Sequence, residues 1–521
     1  MSRTPLFRTL KVALNKNYND NEEKKEITPE ARESRREFLK YSAASFVGST
    51  FFSFPKLAFS QDNPVVILGG GVSGLACAYN LMRAGIHCEI YEGWNRMGGR
   101  MFTKFNFNGQ GQFCELGAEL VNTTDVHLVG LAKQLNIQLQ SFEGWAKKQK
   151  GGDNYWIGEK LYTEKDFVKA LSPLKPIIAK HKKEMETKAG ESKYDKMNGK
   201  TYLDSLRNHA DKWIIDALDI AYENELGLAT EKQSALTIID MIGLDHKIEL
   251  FGEEADEMWR VKGGNSNLIK GIEKAIKGKV KINLGHRLVK VSDNGIQTTL
   301  TFSNGKKIKT SKVVSTIPFW SLRKIEGLDK IGFHPSKLKF IKEVGMGKNT
   351  KHMLGFHSKY WEGFLGNSIV YSDLSPSQAF WDTSRAQKGT AGIYTNFLAD
   401  HHHAHKKVNP HYQLNHLEKF MPGIKKQFDG RHATHHWPTN ELIGGSYTCV
   451  MPGQWKLWDY GKQIELKGRW HFGGEQTSDN WYGFMQGGID AGFRCAEEIK
   501  KEFTQKKMSR RNLLSREKFV S

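Results

Sequence analysis

Cysteine and long apolar runs are scarce in this 521-residue sequence. The five cysteines are odd in number and form no C-x-x-C pair, which argues against a disulfide framework or a cysteine-based zinc site. We expect five buried, small apolar side chains: Cys77, Cys88, Cys114, Cys449 and Cys495. The apolar stretch near the start is too short to span a membrane, and no later run reaches the roughly 18 residues required. The mature protein is therefore expected to be soluble or peripheral.

Acidic residues are also in deficit, with 57 against 77 lysines and arginines, a net charge of +20. Such a surplus favours anionic surfaces such as lipid headgroups or cell-wall polymers. Nucleic acid is not expected as a partner, because no nucleic-acid-binding motif is present. An ordinary solvated basic surface is the simpler interpretation, and peripheral contact with an anionic cell envelope is the alternative.

The length of the chain predicts two closely packed domains, because it exceeds what one ordinary core holds. A group of histidines stands out: His401, His402, His403, His405 and His411. Adjacent residues point in different directions, and no cysteine or carboxylate pattern completes a site. We therefore expect a polar loop insertion there and no metal.

The first sixty residues have the layout of an export signal. Residues 34–40 read S-R-R-E-F-L-K, residues 41–54 are modestly apolar, and residues 58–60 offer a cleavage site for a signal peptidase. The paired Arg35 and Arg36 resemble a twin-arginine (Tat) signal. This predicts passage through the Tat translocase and a periplasmic or secreted location.

A dinucleotide-binding pattern begins at residue 65. A buried strand over 65–68 leads into G-G-G-V-S-G (69–74), a helix through Met82, and a second strand that ends in an acid. Such a βαβ unit places the N–H groups at the start of its helix against a pyrophosphate, while the acid binds the ribose hydroxyls. The predicted contacts are Gly69, Gly71, Val72, Ser73, Gly74 and Glu92.

The residues after Glu92 favour FAD over NAD. Gly98, Gly99 and Arg100 follow six residues later, as in flavin enzymes with an extended fingerprint. In those enzymes the arginine lies near the pyrophosphate, and the glycines let the loop pass close to the cofactor. Gly99 and Arg100 are therefore predicted to contact FAD.

Residues 64–500 as a whole resemble the flavin amine oxidase superfamily, which includes monoamine, polyamine and L-amino-acid oxidases. The segments that carry this resemblance read C-E-L-G-A-E (114–119), M-W-R-V-K-G-G (258–264), G-H-R-L-V (285–289), V-V-S-T-I-P (313–318), F-G-G-E (472–475) and G-F-M-Q-G-G-I-D-A-G (483–492). The resemblance implies an α/β fold, with a Rossmann-like FAD-binding domain of the GR2 type and an interleaved α+β substrate domain.

The implied division of the chain is discontinuous. It comprises an N-terminal extension with the signal peptide (1–60), the FAD-binding domain (61–125, 255–330 and 440–505), the substrate domain (126–254 and 331–439) and a basic tail (506–521). Within the FAD-binding domain, the resemblance implies that the Val289 backbone meets the adenine. Gly474 and Glu475 would bind near the ribityl or phosphate groups.

The same resemblance assigns the residues near the reacting flavin. Lys351 matches the lysine that contacts flavin N5 through a water, and Lys348 is the competing candidate. Tyr447 and Phe484 match the two walls of an aromatic cage, where monoamine oxidases carry two tyrosines. Glu119 would lie beside the flavin, where it could pair with a second, cationic amine of the substrate or form a structural hydrogen bond.

Two departures from relatives matter. Ser446 stands where mitochondrial monoamine oxidases carry the cysteine that bonds FAD, and Cys449 does not match it, so noncovalent FAD is expected. Leu120 or its neighbours stand where L-amino-acid oxidases carry the arginine that clamps the substrate carboxylate, which argues modestly against an amino-acid substrate.

The resemblance implies FAD-dependent oxidation of a primary or secondary amine to an imine, with oxygen or a respiratory electron acceptor receiving the electrons. The imine would hydrolyse to an aldehyde and ammonia or an amine, with hydrogen peroxide formed if oxygen is the acceptor. One alternative is an L-amino-acid oxidase or an enzyme like protoporphyrinogen oxidase or a desaturase. Another is a non-catalytic FAD-binding envelope protein.

Overall fold

The computed structural model describes residues 63–244, 256–365, 368–402 and 408–517. The predicted twin-arginine segment lies outside these residues. Within them, no helix combines the length and apolarity required to cross a membrane.

The described chain contains strands of two to nine residues. They are β1 Val65–Leu68, β2 Cys88–Tyr91, β3 Thr103–Lys104, β4 Cys114–Glu115, β5 Leu139–Ser141, β6 Asn154–Ile157, β7 Lys160–Thr163, β8 Trp259–Val261, β9 Lys281–Asn283, β10 Leu288–Asp293, β11 Thr298–Phe302, β12 Lys307–Thr310, β13 Val313–Ser315, β14 Gly345–Met346, β15 Thr350–Phe356, β16 Val370–Ser372, β17 Ala379–Asp382, β18 Gly392–Leu398, β19 Phe428–His436, β20 Thr448–Cys449 and β21 Trp470–Phe472.

The α-helices are concentrated between residues 164 and 241 and at the C-terminal end. They are α1 Val72–Arg83, α2 Val126–Gln134, α3 Glu143–Ala146, α4 Glu164–Leu171, α5 Lys175–Met185, α6 Lys188–Lys196, α7 Gly199–Ser205, α8 Lys212–Leu226, α9 Ala235–Met241, α10 Ser266–Ile276, α11 Phe319–Leu322, α12 Pro335–Glu343, α13 Pro410–Phe420, α14 Trp458–Lys462 and α15 Met485–Glu517. Short 3₁₀ turns occur between them, one of which (Glu475–Thr477) follows β21.

Five parallel strands form one sheet in the order β21-β13-β1-β2-β9. Its central strand β1 is buried on both faces because its side chains alternate between two cores. Val65 and Ile67 pack with α1, α10 and α15, whereas Val66 and Leu68 pack toward β10–β12 and α12. The continuous apolar sequence of β1 is the consequence of this double burial.

The turn from β1 into α1 depends on two glycines. Gly69 has a φ of +106°, which a side chain disfavours. A Cβ atom at Gly74 would lie 2.0 Å from the Gly69 carbonyl oxygen, so helix and strand approach more closely than any other residue allows. This packing fixes the start of α1 beside the end of β1.

The second large sheet has seven strands in the order β19-β15-β18-β17-β16-β6-β7. Its pairs are antiparallel apart from the parallel pair β16–β6. Helix α13 covers one face, where Leu414 and Leu417 pack against Leu354 and Tyr394. The opposite face is left to line a cavity.

The remaining elements join the two sheets. Helices α4–α9 form a core of their own with β6. The antiparallel pairs β5–β8 and β14–β20 bring together segments distant in sequence, whereas β3 and β4 are close in sequence. Helix α15 packs on α1, so the C-terminal part of the chain completes the region that the first strand begins.

Candidate active site

One large cavity lies where the carboxyl ends of β1, β2 and β13 meet the open face of the seven-stranded sheet. Its volume of about 430 Å³ falls in the range of small-molecule sites. The predicted site residues that line it are Gly69, Gly71, Val72, Ser73, Glu92, Gly99, Arg100, Glu119, Val289, Lys351, Tyr447, Gly474, Glu475 and Phe484. Gly74 does not line it and instead packs α1 on β1.

The first part of the wall is the glycine loop before α1. No side chain caps this end of the helix, which leaves its first N–H groups directed at the cavity. A Cβ atom at Gly71 would meet no protein atom within 4 Å, so the space beside its backbone is open. The Ser73 hydroxyl accepts a hydrogen bond from Gly474 N at 2.9 Å, which ties this loop to the segment after β21.

Glu92 lies at the end of β2 with its carboxylate held by the backbone. One oxygen accepts from Gly70 N at 2.5 Å and the other from Trp94 N at 2.7 Å. Burial raises the pKa of Glu92, while the hydrogen bonds and the nearby Arg96 oppose that shift. Each carboxylate oxygen keeps a second lone pair, so Glu92 can still accept from a ligand hydroxyl.

Arg100 and Glu475 form an ion pair with 2.9 Å between Nη1 and Oε1. The same nitrogen donates to the Ser446 carbonyl at 2.8 Å. Glu475 also accepts from the Thr448 hydroxyl at 3.0 Å and from Gly483 N at 2.7 Å. The sequence predicted Glu475 as a direct cofactor ligand, but its carboxylate also serves as a junction of four segments.

Val289 is the extra residue of a bulge in β10. The pairing with β11 shifts between Leu288, opposite Phe302, and Lys290, opposite Thr301. The Val289 carbonyl accepts from Glu326 N at 3.0 Å. Bulges of this kind turn backbone out of the regular ladder, and here the turned residue lines the cavity.

These residues fit FAD. The open space at Gly71, the uncapped helix end and the acid after β2 match the needs of a pyrophosphate and a ribose. The cavity continues from this loop past Arg100 to the seven-stranded sheet, so one elongated ligand can touch both parts.

The seven-stranded sheet contributes a row of side chains to the same cavity. Lys351 of β15 is paired with Phe397 of β18, which in turn is paired with Ala379 of β17. Trp381 lies two residues beyond Ala379 and therefore on the same face. Lys351 Nζ lies 5.2 Å from the centroid of the Trp381 ring and 5.9 Å from that of Phe397.

Lys351 is directly paired with Glu119 in the cavity wall. Nζ lies 2.7 Å from Glu119 Oε2, and both side chains are 5% exposed. The other oxygen of Glu119 accepts from the Thr383 hydroxyl at 3.1 Å. Burial works to raise the pKa of Glu119, but the charges of Lys351, Arg385 and Arg260 outweigh it, so the pKa is lowered. The Glu119 carboxylate is therefore ionised, and its contact with Lys351 joins the segment after β4 to β15.

The sequence left two roles for Glu119, pairing with a cationic amine of the substrate or a structural hydrogen bond. In the structure Lys351 donates to its carboxylate. The competing lysine, Lys348, precedes β15 and does not line the cavity. Its ammonium group lies 3.0 Å from Asp400 and its side chain is 38% exposed.

Tyr447 and Phe484 line the cavity together with Ser446. The Tyr447 hydroxyl donates to the Glu225 carbonyl at 2.5 Å, which fixes its ring. Ser446 Oγ donates to Asn349 Oδ1 at 2.5 Å. Cys449 is a buried free thiol in β20, as are the other four cysteines in their own elements.

Several cavity residues were not identified from the sequence. They are Asn224, Glu225, Glu257, Tyr371, Trp381, Arg385 and Phe397. Most lie on strands or strand ends of the seven-stranded sheet, where facing the cavity depends on cross-strand pairing. Every second residue of a strand shares a face, so Met353 lies on the same face of β15 as Lys351. Their partners on β18, Thr395 and Phe397, lie on that face too, and the position of Lys351 could have identified it as the cavity face.

The histidine group is only partly described. His401 Nδ1 lies 2.7 Å from Glu223 Oε2, and this contact raises the pKa of His401 although burial opposes it. Among the residues that the structure describes, no group of three or more His, Cys, Asp or Glu side chains is placed to hold a metal ion. His403 and His405 lie outside the described residues.

Known proteins similar to this chain are flavin-containing enzymes, in agreement with a cavity that fits FAD. Residues 72–500 match the family model of flavin-containing amine oxidoreductases. A flavin-containing amine oxidase of Oncorhynchus mykiss is 23% identical over 461 residues, covering 84% of this chain and 85% of the relative. Polyamine oxidase 5 of Oryza sativa subsp. japonica is 23% identical over 471 residues, covering 84% and 88%.

Two solved structures share the fold. Cyclohexylamine oxidase from Brevibacterium oxydans IH-35A superposes with a TM-score of 0.72 at 19% identity, covering 85% of this chain and 100% of that one. Putrescine oxidase bound to putrescine gives 0.69 at 18% identity, covering 84% and 99%. Because the family model spans most of the described residues, the chain belongs to the flavin-containing amine oxidoreductases and is an FAD-dependent oxidoreductase.

Proposed function

We propose that this protein oxidises a primary or secondary amine to an imine, which water hydrolyses to an aldehyde and ammonia or an amine. The observation that carries this proposal is the single cavity shared by the dinucleotide loop and the Lys351–Glu119 pair. FAD, when bound, would supply the acceptor for the hydride equivalent that leaves the amine carbon, with oxygen or a respiratory carrier as the final electron acceptor.

The residues proposed to hold FAD are those of the loop between β1 and α1, Glu92, Gly99, Arg100, Val289, Gly474 and Glu475. The start of α1 offers N–H groups to the pyrophosphate. Arg100 keeps part of its charge available to the phosphates because its side chain remains 22% exposed. No cysteine stands at position 446, so we propose that the cofactor is held without a covalent bond.

The protein's own contribution to the reaction is to orient the amine, exclude water and keep the amine neutral. The Trp381, Phe397, Tyr447 and Phe484 rings supply an apolar wall for its carbon skeleton. Loss of water among these rings disfavours the charged ammonium form, so the reactive, uncharged form of the amine is preferred. Glu119 holds Lys351 in place across the domain junction.

Anaerobic mixing with amines tests this proposal. We expect the oxidised flavin absorbance to bleach with at least one primary or secondary amine, and the imine product to appear as an aldehyde after hydrolysis. A flavin that stays oxidised across monoamines, diamines and amino acids would favour the non-catalytic binding protein instead. A flavin that is bleached only by porphyrinogens or polyenes would favour the other enzyme classes.

We also propose that the folded protein is exported by the Tat translocase to the periplasm or beyond. The support is the sequence around Arg35 and Arg36, together with the need to bind FAD where it is made. The net charge of +20 would then face an anionic envelope surface.

A further inference from the structure

Arg385 is a buried cation in the cavity wall to which the proposed reaction assigns no role. It follows β17, lines the cavity and is only 5% exposed. Its Nε is shielded from solvent and has no hydrogen-bond partner, and no ion pair of its guanidinium group occurs among the described residues. An arginine that gives up water normally finds a carboxylate, a carbonyl or a phosphate in exchange.

The position of Arg385 is fixed in advance. Its guanidinium group lies 4.5 Å from the centroid of the Phe142 ring and 5.4 Å from that of Trp145. Below it, Arg260 donates to the carbonyls of Thr383 at 3.0 Å and of Arg385 itself at 2.7 Å. The rings orient the Arg385 side chain and the hydrogen bonds from Arg260 fix its backbone, so that little freedom is lost when the side chain binds an anion.

Arg385 also lies near the proposed reaction centre. Thr383, two residues earlier, donates to Glu119, and the charge of Arg385 helps to lower the pKa of that carboxyl group. Glu119 is itself neutralised by direct contact with Lys351. The charges of Lys351 and Glu119 therefore compensate each other, and the charge of Arg385 is left without a compensating anion.

The other acidic residues near Arg385 do not fully compensate its positive charge. Burial raises the pKa of Glu115 to about 7, and it raises the pKa of Asp382 as well. Glu257 is exposed on the cavity wall, yet the surrounding protein raises its pKa to about 7 although Arg385 opposes the shift. Near neutral pH Glu115 and Glu257 are only partly ionised, which leaves the pocket receptive to one anionic group.

We propose that Arg385 binds a carboxylate of the substrate, so that the amine this enzyme oxidises is an amino carboxylic acid. This proposal rests on the amine oxidation proposed above and names its substrate class. A guanidinium group presents two parallel N–H donors that match the two oxygens of a carboxylate. By the resemblance, Leu120 or its neighbours stand where the L-amino-acid oxidases carry their carboxylate clamp, and Arg385 would supply the same chemistry from a different element.

The test compares amines that differ only by a carboxylate. Flavin reduction by L-phenylalanine, L-alanine and 4-aminobutanoate is measured anaerobically beside 2-phenylethylamine, ethylamine and propylamine, with putrescine as a diamine. In at least one pair we expect the carboxylate to raise kcat/KM by 10-fold or more. Equal rates in every pair, or a preference for putrescine, would overturn the proposal and leave amine oxidation standing.

Variants assign the effect to Arg385. Arg385→Met keeps the length of the side chain over Phe142 and should lower kcat/KM for the amino carboxylate by about 10- to 150-fold, the loss expected for a charge-assisted hydrogen-bonded pair. The ratio of kcat/KM for the amino carboxylate to kcat/KM for its decarboxylated partner should therefore fall by at least 10-fold. Arg83→Met is the matched control, because Arg83 also lies over a ring, Tyr79 at 5.6 Å, but outside the cavity.

A binding measurement separates this inference from the proposed function. Benzoate should perturb the spectrum of the oxidised flavin, with a dissociation constant at least 10-fold weaker in Arg385→Met than in the wild type. Arg385→Lys keeps the charge and should give an intermediate value if the methionine variant folds poorly. Benzoate binding that is equal in all variants refutes the role of Arg385. Benzoate binding that weakens in Arg385→Met without reduction of the flavin by any amine refutes amine oxidation, and with it the substrate class, but leaves the anion site at Arg385 standing.

Discussion

At the scale of single residues, Lys351 carries the sharpest consequence. Replacing Lys351 with Met should leave FAD bound, because the residue contacts Glu119 and not the dinucleotide loop. Flavin reduction by the amine, or reoxidation by oxygen, should slow by about 10²-fold, the scale for losing a positioned polar group. Stopped-flow absorbance measures both half-reactions.

Lys348→Met is the matched control. Lys348 contacts Asp400 at 3.0 Å outside the cavity, so both half-reactions should remain within about twofold of the wild type. If Lys348→Met proves crippling and Lys351→Met silent, then the alignment with the family lysine is wrong. If neither matters, the family mechanism does not apply to this chain.

Glu115 gives a prediction on pH. Its carboxylate is buried and accepts from Asn265 N at 2.7 Å and from the Thr103 hydroxyl at 2.9 Å. Burial raises its folded-state pKa from 4.5 to about 7, so the folded protein holds this proton more tightly than the unfolded chain. The contribution to stability is complete below about pH 4.5 and is lost as the pH rises through about 7.

Glu115→Gln should therefore gain stability relative to the wild type as the pH rises. Glutamine keeps the acceptor oxygen but cannot ionise, so the gain between pH 5 and pH 8 should be on the order of 2 kcal/mol. Melting temperatures of both proteins with FAD bound, taken at the two pH values, measure it. A difference between variant and wild type that does not change with pH would show that Glu115 keeps an ordinary pKa.

The residue scale also shows where the sequence is informative. Lys351 was identified by its surroundings in the family, and the structure places it in the cavity. Its partner was left open, because Glu119 lies 232 residues away and their contact depends on how the segment after β4 meets β15. Arg385 belongs to no local sequence motif. It is distinguished only in the structure, by a buried Nε that has no hydrogen-bond partner.

At the scale of elements, the close contact of α1 with β1 is open to a direct test. Gly74→Ala would place a methyl group 2.0 Å from the Gly69 carbonyl oxygen, so the helix must move away from the strand. We expect a loss of about 1–3 kcal/mol and a lower FAD content per chain, because the same helix end borders the cofactor loop. Denaturation curves and the flavin-to-protein absorbance ratio measure these effects.

Gly144→Ala provides the comparison for that variant. Gly144 is also helical, within α3, but a Cβ atom there meets nothing within 4 Å. Stability should be unchanged or slightly higher, and FAD content should be the same. Equal losses in both variants would mean that helix packing on β1 is not the constraint.

The strands and the helix near the dinucleotide loop could be predicted from the sequence, but the seven-stranded sheet could not. The strands over 65–68 and 88–91 follow from short apolar runs on either side of a glycine motif, and both lie in the parallel sheet. The seven-stranded sheet combines residues 154–163 with residues 350–436 through the parallel pair β16–β6. Short strands this far apart carry no pairing signal in one sequence, so their register and their cavity face could not be derived.

At the scale of the whole molecule, the attachment of the cofactor is testable on purified protein. The protein should be yellow, and acid precipitation should leave FAD in the supernatant, because position 446 is a serine with its hydroxyl on Asn349. Absorbance and fluorescence of the supernatant and the pellet measure this. Flavin that stays with the precipitated chain would contradict noncovalent binding.

Export is the other property of the whole molecule. Substituting Arg35→Lys together with Arg36→Lys should retain the protein in the cytoplasm with FAD bound, because a twin-arginine signal is read through both guanidinium groups. Cell fractionation measures the location, and flavin content confirms folding. Normal periplasmic appearance of the double variant would refute the Tat assignment.

The strand order of the parallel sheet also dictates when the protein can become complete during synthesis. Strand β1 is made first yet stands at the centre, and its neighbours beyond β13 include β21, made about 400 residues later. At elongation rates of 5–20 residues per second, roughly 20–80 seconds separate the two on the ribosome. Throughout that interval a nascent chain exposes one apolar strand edge and lacks Glu475 and α15. The cofactor site therefore cannot form cotranslationally, and the unfinished chain has to be shielded from aggregation until its last hundred residues emerge.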